Sequence, residues 1–401
     1  MKKIHHLFLL LSGILFFASC NSSGTDDLLI VDFDRKPDKE VVLKFEDLVD
    51  EVKIVRLETK NDLILPEYID IEITADYIIT RGMIGFGIDQ FDNKGNFIRR
   101  LANRGRGPNE YLDVLQIVDE IKNRLYLISY NGDDRILRID LATGQFLDII
   151  RPDIPIWGRV IGTNGEIIGF ADPNYYGYQG FKSDTLSRIY FVNSETGATR
   201  NVAVCENNNP ISAPNIISNM KDMFYYIFAN SDTLYKFNEE RVVPNKIFKI
   251  SNKAKDEMNN GNTLSIYMSF GDNFIICKRY RKIPEGGGIA RTVSDEYLLL
   301  NNNGNLSSFD VSIIDKYNIK LSQKEYIESY SGGKTRLYPG SIPQTSGNYL
   351  YYSFNAPNAI LFLKRALEDE TTTDKQRKEI NALLSQIDEE DNHIIIYGKR
   401  K

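Results

Sequence analysis

Short apolar runs recur almost from one end of this chain to the other, and several are apolar on both faces. Leu125-Tyr126-Leu127-Ile128 is one of them. A strand of that kind must be covered on both sides. Sheets stacked around a common axis meet this need, because each lies between two neighbours. The runs come in units: an apolar strand, a second strand, an Asn/Asp/Gly turn, then a third strand. Asp92-Asn93-Lys94-Gly95-Asn96, Leu141-Ala142-Thr143-Gly144-Gln145, Glu195-Thr196-Gly197 and Asn301-Asn302-Asn303-Gly304-Asn305 are such turns. Gly and Asn supply the positive φ they need. Gly95, Gly144, Gly197 and Gly304 are 49, 53 and 107 residues apart, the last close to two periods. A period near 50 residues marks a propeller.

The expected fold is therefore all-β: a six-bladed β-propeller with four-stranded antiparallel blades and one C-terminal helical insert, over residues 46–401. A pair of β-sandwiches is the alternative. The 23 Tyr and 21 Phe suit strands with aromatic faces. A propeller must close or leave an exposed edge. Val52-Lys53-Ile54-Val55-Arg56-Leu57 and Ile394-Ile395-Ile396-Tyr397 are expected to share the closing blade. Ala359-Ile360-Leu361-Phe362-Leu363 reads as a strand of the sixth unit. The helix follows it: Thr373 or Asp374 is the N-cap, and Ile380, Leu383, Leu384 and Ile387 keep helical spacing. Lys375, Arg377, Lys378 and Glu379 form its expected solvent face, and its expected role is a lid on the last blade.

The first twenty residues read as an address. Lys2 and Lys3 precede an apolar stretch from Leu7 to Phe17, and Phe17-Ala18-Ser19-Cys20 follows. This has the form of a signal peptide, residues 1–19, ending in a bacterial lipobox that leaves Cys20 as the lipidated N-terminus. It is too short to span a membrane as a helix. Residues 20–45 are the lipidated cysteine and its tether. Removing residues 1–19 takes away two lysines and no acid, which moves the net charge from −6 to −8. Such a chain offers no electrostatic footprint for nucleic acid.

Phe91-Asp92-Asn93-Lys94-Gly95-Asn96-Phe97-Ile98, followed by Gly105-Arg106-Gly107-Pro108-Asn109-Glu110-Tyr111, resembles the six-bladed β-propeller lipoproteins of gut-type Gram-negative bacteria, relatives of NHL-repeat propellers. The closing Asp388-Glu389-Glu390-Asp391-Asn392-His393-Ile394-Ile395-Ile396-Tyr397 is similar to that family's last strand, with His393 where its pattern has Pro. The resemblance implies a propeller, a lipid anchor and a role in handling glycans or their sensors. It supplies no catalytic residue.

Three stretches are candidate sites. Around Gly105 and Gly107, a backbone nest with Arg104 and Arg106 beside it would take an anion. The competing reading is a turn between blades in which Glu110 pairs an arginine. Trp157 and the aromatic loop holding Tyr175, Tyr176 and Tyr178 offer flat faces with polar tips, suited to sugar rings or a partner protein. Pro284-Glu285-Gly286-Gly287-Gly288 is a further glycine-rich connection, read as a hairpin tip. Cys205 and Cys277 remain after Cys20; two free thiols are the preferred reading and a disulfide the alternative.

Catalysis has little support. His393 is the one histidine left after residues 1–19, and no Ser-His-Asp or zinc pattern is visible. No cofactor is named, with a structural or channel-bound Ca²⁺ left open. The expected function is a monomeric, non-enzymatic binding or scaffolding module on the outer membrane, facing the periplasm or the cell surface, for a glycan or a protein partner. The alternative is a carbohydrate-active or lactonase-like propeller enzyme.

Overall fold

The computed structural model describes residues 29–32, 36–60, 63–82, 86–112, 114–129, 135–154, 156, 159–172, 186–206, 215–220, 223–227, 233–237, 242–249, 263–270, 273–282, 291–301, 303–322, 326–328, 334–336 and 342–401. The described strands form small sheets, most of them antiparallel meanders of consecutive strands. The first holds Ile69–Ile73, Tyr77–Gly82, Ile88–Asp92 and Phe97–Arg104. The second holds Val114–Asp119, Arg124–Ser129 and Ile136–Asp140, with Phe146 and Ile150 bridging back to Ile139 and Ile136. Arg159–Thr163, Ile167–Asp172, Leu186–Asn193 and Thr199–Glu206 make the third. Asn215–Met220, Met223–Ile227, Thr233–Phe237 and Val242–Lys249 make the fourth. Thr263–Phe270, Asn273–Lys282, Arg291–Leu300 and Leu306–Phe309 make the fifth.

The opening strand of each meander lies beside that of the next: Ile69–Ile73 against Val114–Asp119, then Arg159–Thr163, Asn215–Met220 and Thr263–Phe270 in turn. The sequence units began one strand later, at Asp76 and Arg124, so these opening strands are additions to that reading.

Head and tail of the chain share one sheet. Gln344–Ser346, Tyr349–Phe354 and Ile394–Lys399 are joined by Lys53–Arg56, which pairs antiparallel with the tail from Tyr397↔Lys53 to Ile394↔Arg56. The two segments thus share a sheet, as expected. Gln344–Ser346 lies in turn against Ile69–Ile73.

Both faces of the apolar strands are covered. On Arg124–Ser129, Leu125 and Leu127 pack with Ile79, Ile88 and Leu101 of the first sheet. Tyr126 and Ile128 pack with Ile168, Phe170 and Tyr190 of the third. On Tyr349–Phe354, Tyr349 and Tyr351 face Ile71 and Phe91, while Leu350, Tyr352 and Phe354 face Ile275, Tyr297 and Phe309. Each fully buried side chain of this size contributes about 1.5–3 kcal/mol. The turns at Gly95, Gly144, Gly197 and Gly304 all carry positive φ, from 74° to 89°, as the turn sequences require.

Residues 29–44 are more than a tether. Leu29–Asp32 pairs parallel with Val242–Lys249 at the edge of the fourth sheet. Lys39–Glu40 does the same at the edge of the fifth, and Leu43–Lys44 pairs with Val311–Ile314. The head thus covers two sheet edges that would otherwise offer unpaired backbone. A single helical turn, α1 (Phe45–Leu48), follows.

The C-terminal insert holds two long helices where one was expected. Ala359–Leu363 is not a strand; it lies in α2 (Ala356–Glu368). Asn355 caps it, accepting from the Asn358 N–H at 3.0 Å, and Pro357 occupies its first turn. Ala359, Phe362, Leu363 and Ala366 share its buried face. In α3 (Asp374–Leu384) Thr373 and Gln376 form a reciprocal capping box. Arg377 does not face solvent: its guanidinium donates to the carbonyls of Leu367 and, at 3.0 Å, Asp369, tying α3 to the end of α2. The pair packs on the head–tail sheet and on Ile319–Ser322, as a lid would.

His393 is buried just before the last strand. A carbonyl can only accept, so Nε2–H donates to Pro66 O at 2.9 Å and Nδ1 accepts from the Ser353 hydroxyl at 2.9 Å. Burial holds its pKa below the usual value, against the pull of the Pro66 hydrogen bond. A lowered pKa means that the native state binds fewer protons than the unfolded chain. Stability is therefore expected to fall as pH drops through about 6.5. Urea midpoints of the protein and of His393→Gln at pH 7.5 and 5.5 check this: the variant loses less on acidification.

Candidate functional site

The glycine-arginine turn leads from the last strand of the first sheet into the second. Asn103 and Arg104 pair parallel with Glu110 and Tyr111, folding the turn back on itself. Its N–H groups are occupied from within. Gly105 donates to Tyr111 O at 2.8 Å, and Gly107 donates to Glu110 Oε2 at 2.7 Å. Glu110 therefore caps a backbone N–H; among the described residues it pairs with no arginine. The two glycines are there for room. A Cβ on Gly105 would fall 2.0 Å from Glu110 Oε2, and one on Gly107 3.1 Å from its Cδ. Arg104 Nε donates to Leu112 O at 3.0 Å, and the Tyr111 hydroxyl donates to Phe86 O at 2.9 Å. Arg135, from the second sheet, reaches Pro108 O and Glu110 O at 3.4 and 3.3 Å.

Beside this turn is a cleft of about 160 Å³. Gly105, Arg106, Glu110, Tyr111, Leu112, Ser129 and Arg135 form its walls, over a floor of Val114, Leu127 and Leu137. Arg106 is exposed. That volume is below the roughly 300 Å³ of a pocket for a drug-sized ligand, so the cleft suits one ring or one end group. Leu112, on its wall, is 44% exposed, and Phe86, whose carbonyl accepts from Tyr111, is 39% exposed. Phe86 and Pro66 both crowd Gly82, where a Cβ would meet them at 2.5 and 2.9 Å. Ile64 and Tyr68, on the same connection as Pro66, are 64% and 49% exposed.

A second polar group was not legible in the sequence. Glu72 projects from the opening strand Ile69–Ile73, opposite the buried Ile69, Ile71 and Ile73. Burial, aided by the charge of Asp70, pushes its carboxyl up to about 8, although the Ser346 hydrogen bond and Arg81 act the other way. The Ser346 hydroxyl donates to Glu72 Oε2 at 2.7 Å and accepts the Ile73 N–H at 2.7 Å, so one side chain bridges the head–tail sheet to the first. On the neighbouring opening strand, the Gln116 amide has no hydrogen-bond partner among the described residues. The Ile-Asp-Ile-Glu-Ile alternation shows that the acids share a face, but Ser346 is 274 residues away.

Of the other sequence candidates, Cys20, Trp157, Tyr175, Tyr176, Tyr178 and residues 284–288 lie outside the described residues. Cys205 and Cys277 lie on strands of the third and fifth sheets, with the fourth between them in the order of opening strands. Among the described residues, no three His, Cys, Asp or Glu side chains come together as metal ligands, and no helix is long and apolar enough to cross a membrane.

Residues 28–399 match the profile of the domain of unknown function DUF4934. The chain belongs to the DUF4934 family. A crystal structure of a Bacteroides fragilis protein described as exported resembles this DUF4934 chain with a TM-score of 0.55 at 13% identity, over 93% of this chain and 100% of that one. That likeness speaks to the fold alone. A streptogramin B lyase structure (TM-score 0.34, 11% identity, 66% of this chain and 91% of that one) and a U3-55K structure (0.38, 8%, 72% and 96%) are also similar. At those scores neither bears on the DUF4934 protein. No curated protein matches its sequence.

Two stability experiments follow from this geometry. Gly105→Ala is expected to displace the Glu110 carboxylate and leave the Gly107 N–H unpaired, at about 1–3 kcal/mol. Adding Glu110→Ala removes the clash, so the double variant should lose less than the two single losses together; a double-mutant cycle in urea measures the coupling. For Glu72 the pKa is raised, so the native state holds a proton that the unfolded chain has released. Stability is expected to fall as pH rises from about 4.5 towards 8. Glu72→Gln, neutral throughout, flattens that slope in thermal melts.

Proposed function

We propose that this DUF4934 protein is a six-bladed, NHL-like β-propeller lipoprotein that serves as a non-enzymatic binding module. Five meanders along the chain, opening strands in serial contact and a further sheet built from the head and tail segments support the six-bladed form. Lipid on Cys20 would hold the module at the outer membrane. The exported description of the Bacteroides fragilis protein supports a place beyond the inner membrane.

The single observation behind the binding reading is the cleft at Gly105–Leu112. It joins an exposed guanidinium at Arg106 to an apolar floor, which suits one sugar ring of a glycan, with its hydroxyls at the arginine and its carbon face on the floor. A protein partner is the second reading. The exposed Ile64, Tyr68, Phe86 and Leu112 favour it, because exposed apolar side chains suit contact with a protein surface.

A glycan array probed with the mature protein, followed by calorimetry on the best ligand, tests the first reading. Arg106→Ala is expected to weaken binding roughly tenfold or more, the worth of a hydrogen bond to a charged group, with the melting temperature unchanged. An array without binders, combined with binding of a protein partner that Phe86→Ser and Leu112→Ser abolish, moves the conclusion to the second reading. Hydrolysis of any glycan by the protein overturns both.

A further inference from the structure

The path of the head fixes which end of the sheets meets the lipid. Leu29–Asp32 runs parallel to Val242–Lys249, the last strand of the fourth sheet, with Leu29 opposite Lys246. Val242–Lys249 begins after the third-to-fourth-strand turn of its sheet. In the first, second, third and fifth sheets that turn holds the positive-φ glycines Gly95, Gly144, Gly197 and Gly304. The chain therefore arrives at Leu29 from the glycine-turn end. The connections between sheets leave from the opposite end, and the cleft is built on one of them, Gly105–Leu112.

We infer that the glycine-turn end faces the membrane and the cleft end faces away from it. This rests on the lipid-anchored propeller reading above. Leu29 is nine positions after Cys20, and a fully extended chain covers at most about 3.3–3.6 Å per residue, so the anchor lies within roughly 30 Å of Leu29. The 8-residue strand beside Leu29–Asp32 is itself close to 27 Å long. Leu29 sits opposite Lys246, part-way along that strand, so both ends are within reach. It is the direction of Leu29–Asp32, running towards the cleft end, that leaves the chain before it on the glycine-turn side. Turning the cleft end to the lipid would require that chain to double back. Among the described residues the most exposed large apolar side chain, Ile121 at 72%, sits on a turn at that same end, where the interface would cover it. Its partner is a lipid surface, and the ligand of the cleft approaches from the aqueous side.

Energy transfer to acceptor lipids tests this on the full lipoprotein, purified from membranes and reconstituted in phosphatidylethanolamine–phosphatidylglycerol vesicles. In a Cys205→Ser, Cys277→Ser background, a donor is placed at Lys94→Cys, on a glycine turn, or at Arg106→Cys, at the cleft. Both sites belong to the first sheet and its connections, so a difference between them reports which end is down. Stronger transfer from position 94 is the expected result. Equal transfer, or stronger transfer from position 106, overturns the orientation. Mass spectrometry of the N-terminal peptide separates the two ways of failing. A Cys20 without acyl chains removes the anchor and the orientation together; an acylated Cys20 with the wrong transfer pattern removes the orientation alone.

Discussion

The fold depends on strands that are oily on both sides. A sheet with one wet face needs one neighbour; a sheet with none needs two, and so does each of those neighbours. The requirement is visible on Arg124–Ser129, where Leu125 and Leu127 enter one cluster and Tyr126 and Ile128 the next. It recurs on Tyr349–Phe354 with the same alternation. No flat stack ends such a series, because its outermost sheets would always present an apolar face to water. Joining Lys53–Arg56 to Ile394–Lys399 brings the head and the tail of the chain into one sheet of that series.

Much of this is written in local chemistry. The four turn glycines could be named from their Asn and Asp neighbours, since only a residue without Cβ takes that backbone cheaply. What local chemistry hides is also instructive. Ala359-Ile360-Leu361-Phe362-Leu363 carries strand-like residues, yet the Asn355 cap and the spacing of Ala359, Phe362, Leu363 and Ala366 make it helical. The opening strands escaped because Asp70 and Glu72 interrupt the apolar run in Ile69–Ile73. Residues 29–44 read as linker because their strands are short and find partners more than 200 residues later.

The candidate site shows the same division. Sequence picked out the Gly-Arg-Gly-Pro-Asn-Glu-Tyr run but not the reason for it. The glycines make space for a carboxylate, and the carboxylate serves the turn itself, which leaves Arg106 as the outward-facing cation of the run. Glu72 was illegible for a different reason. Its altered acidity is a property of the packing and of Ser346, which the chain brings in from far downstream.

The sheet shared by head and tail also sets a timetable. Its third strand, Ile394–Lys399, lies more than 300 residues downstream of its partner Lys53–Arg56, so a ribosome makes it long after that partner. Until it is made, Lys53–Arg56 has no place to dock, and closure of a loop this long is slow in any chain. A polypeptide threaded through a narrow export channel while still unfinished would carry no completed body to block its passage, and the finished shape would lock only on the far side.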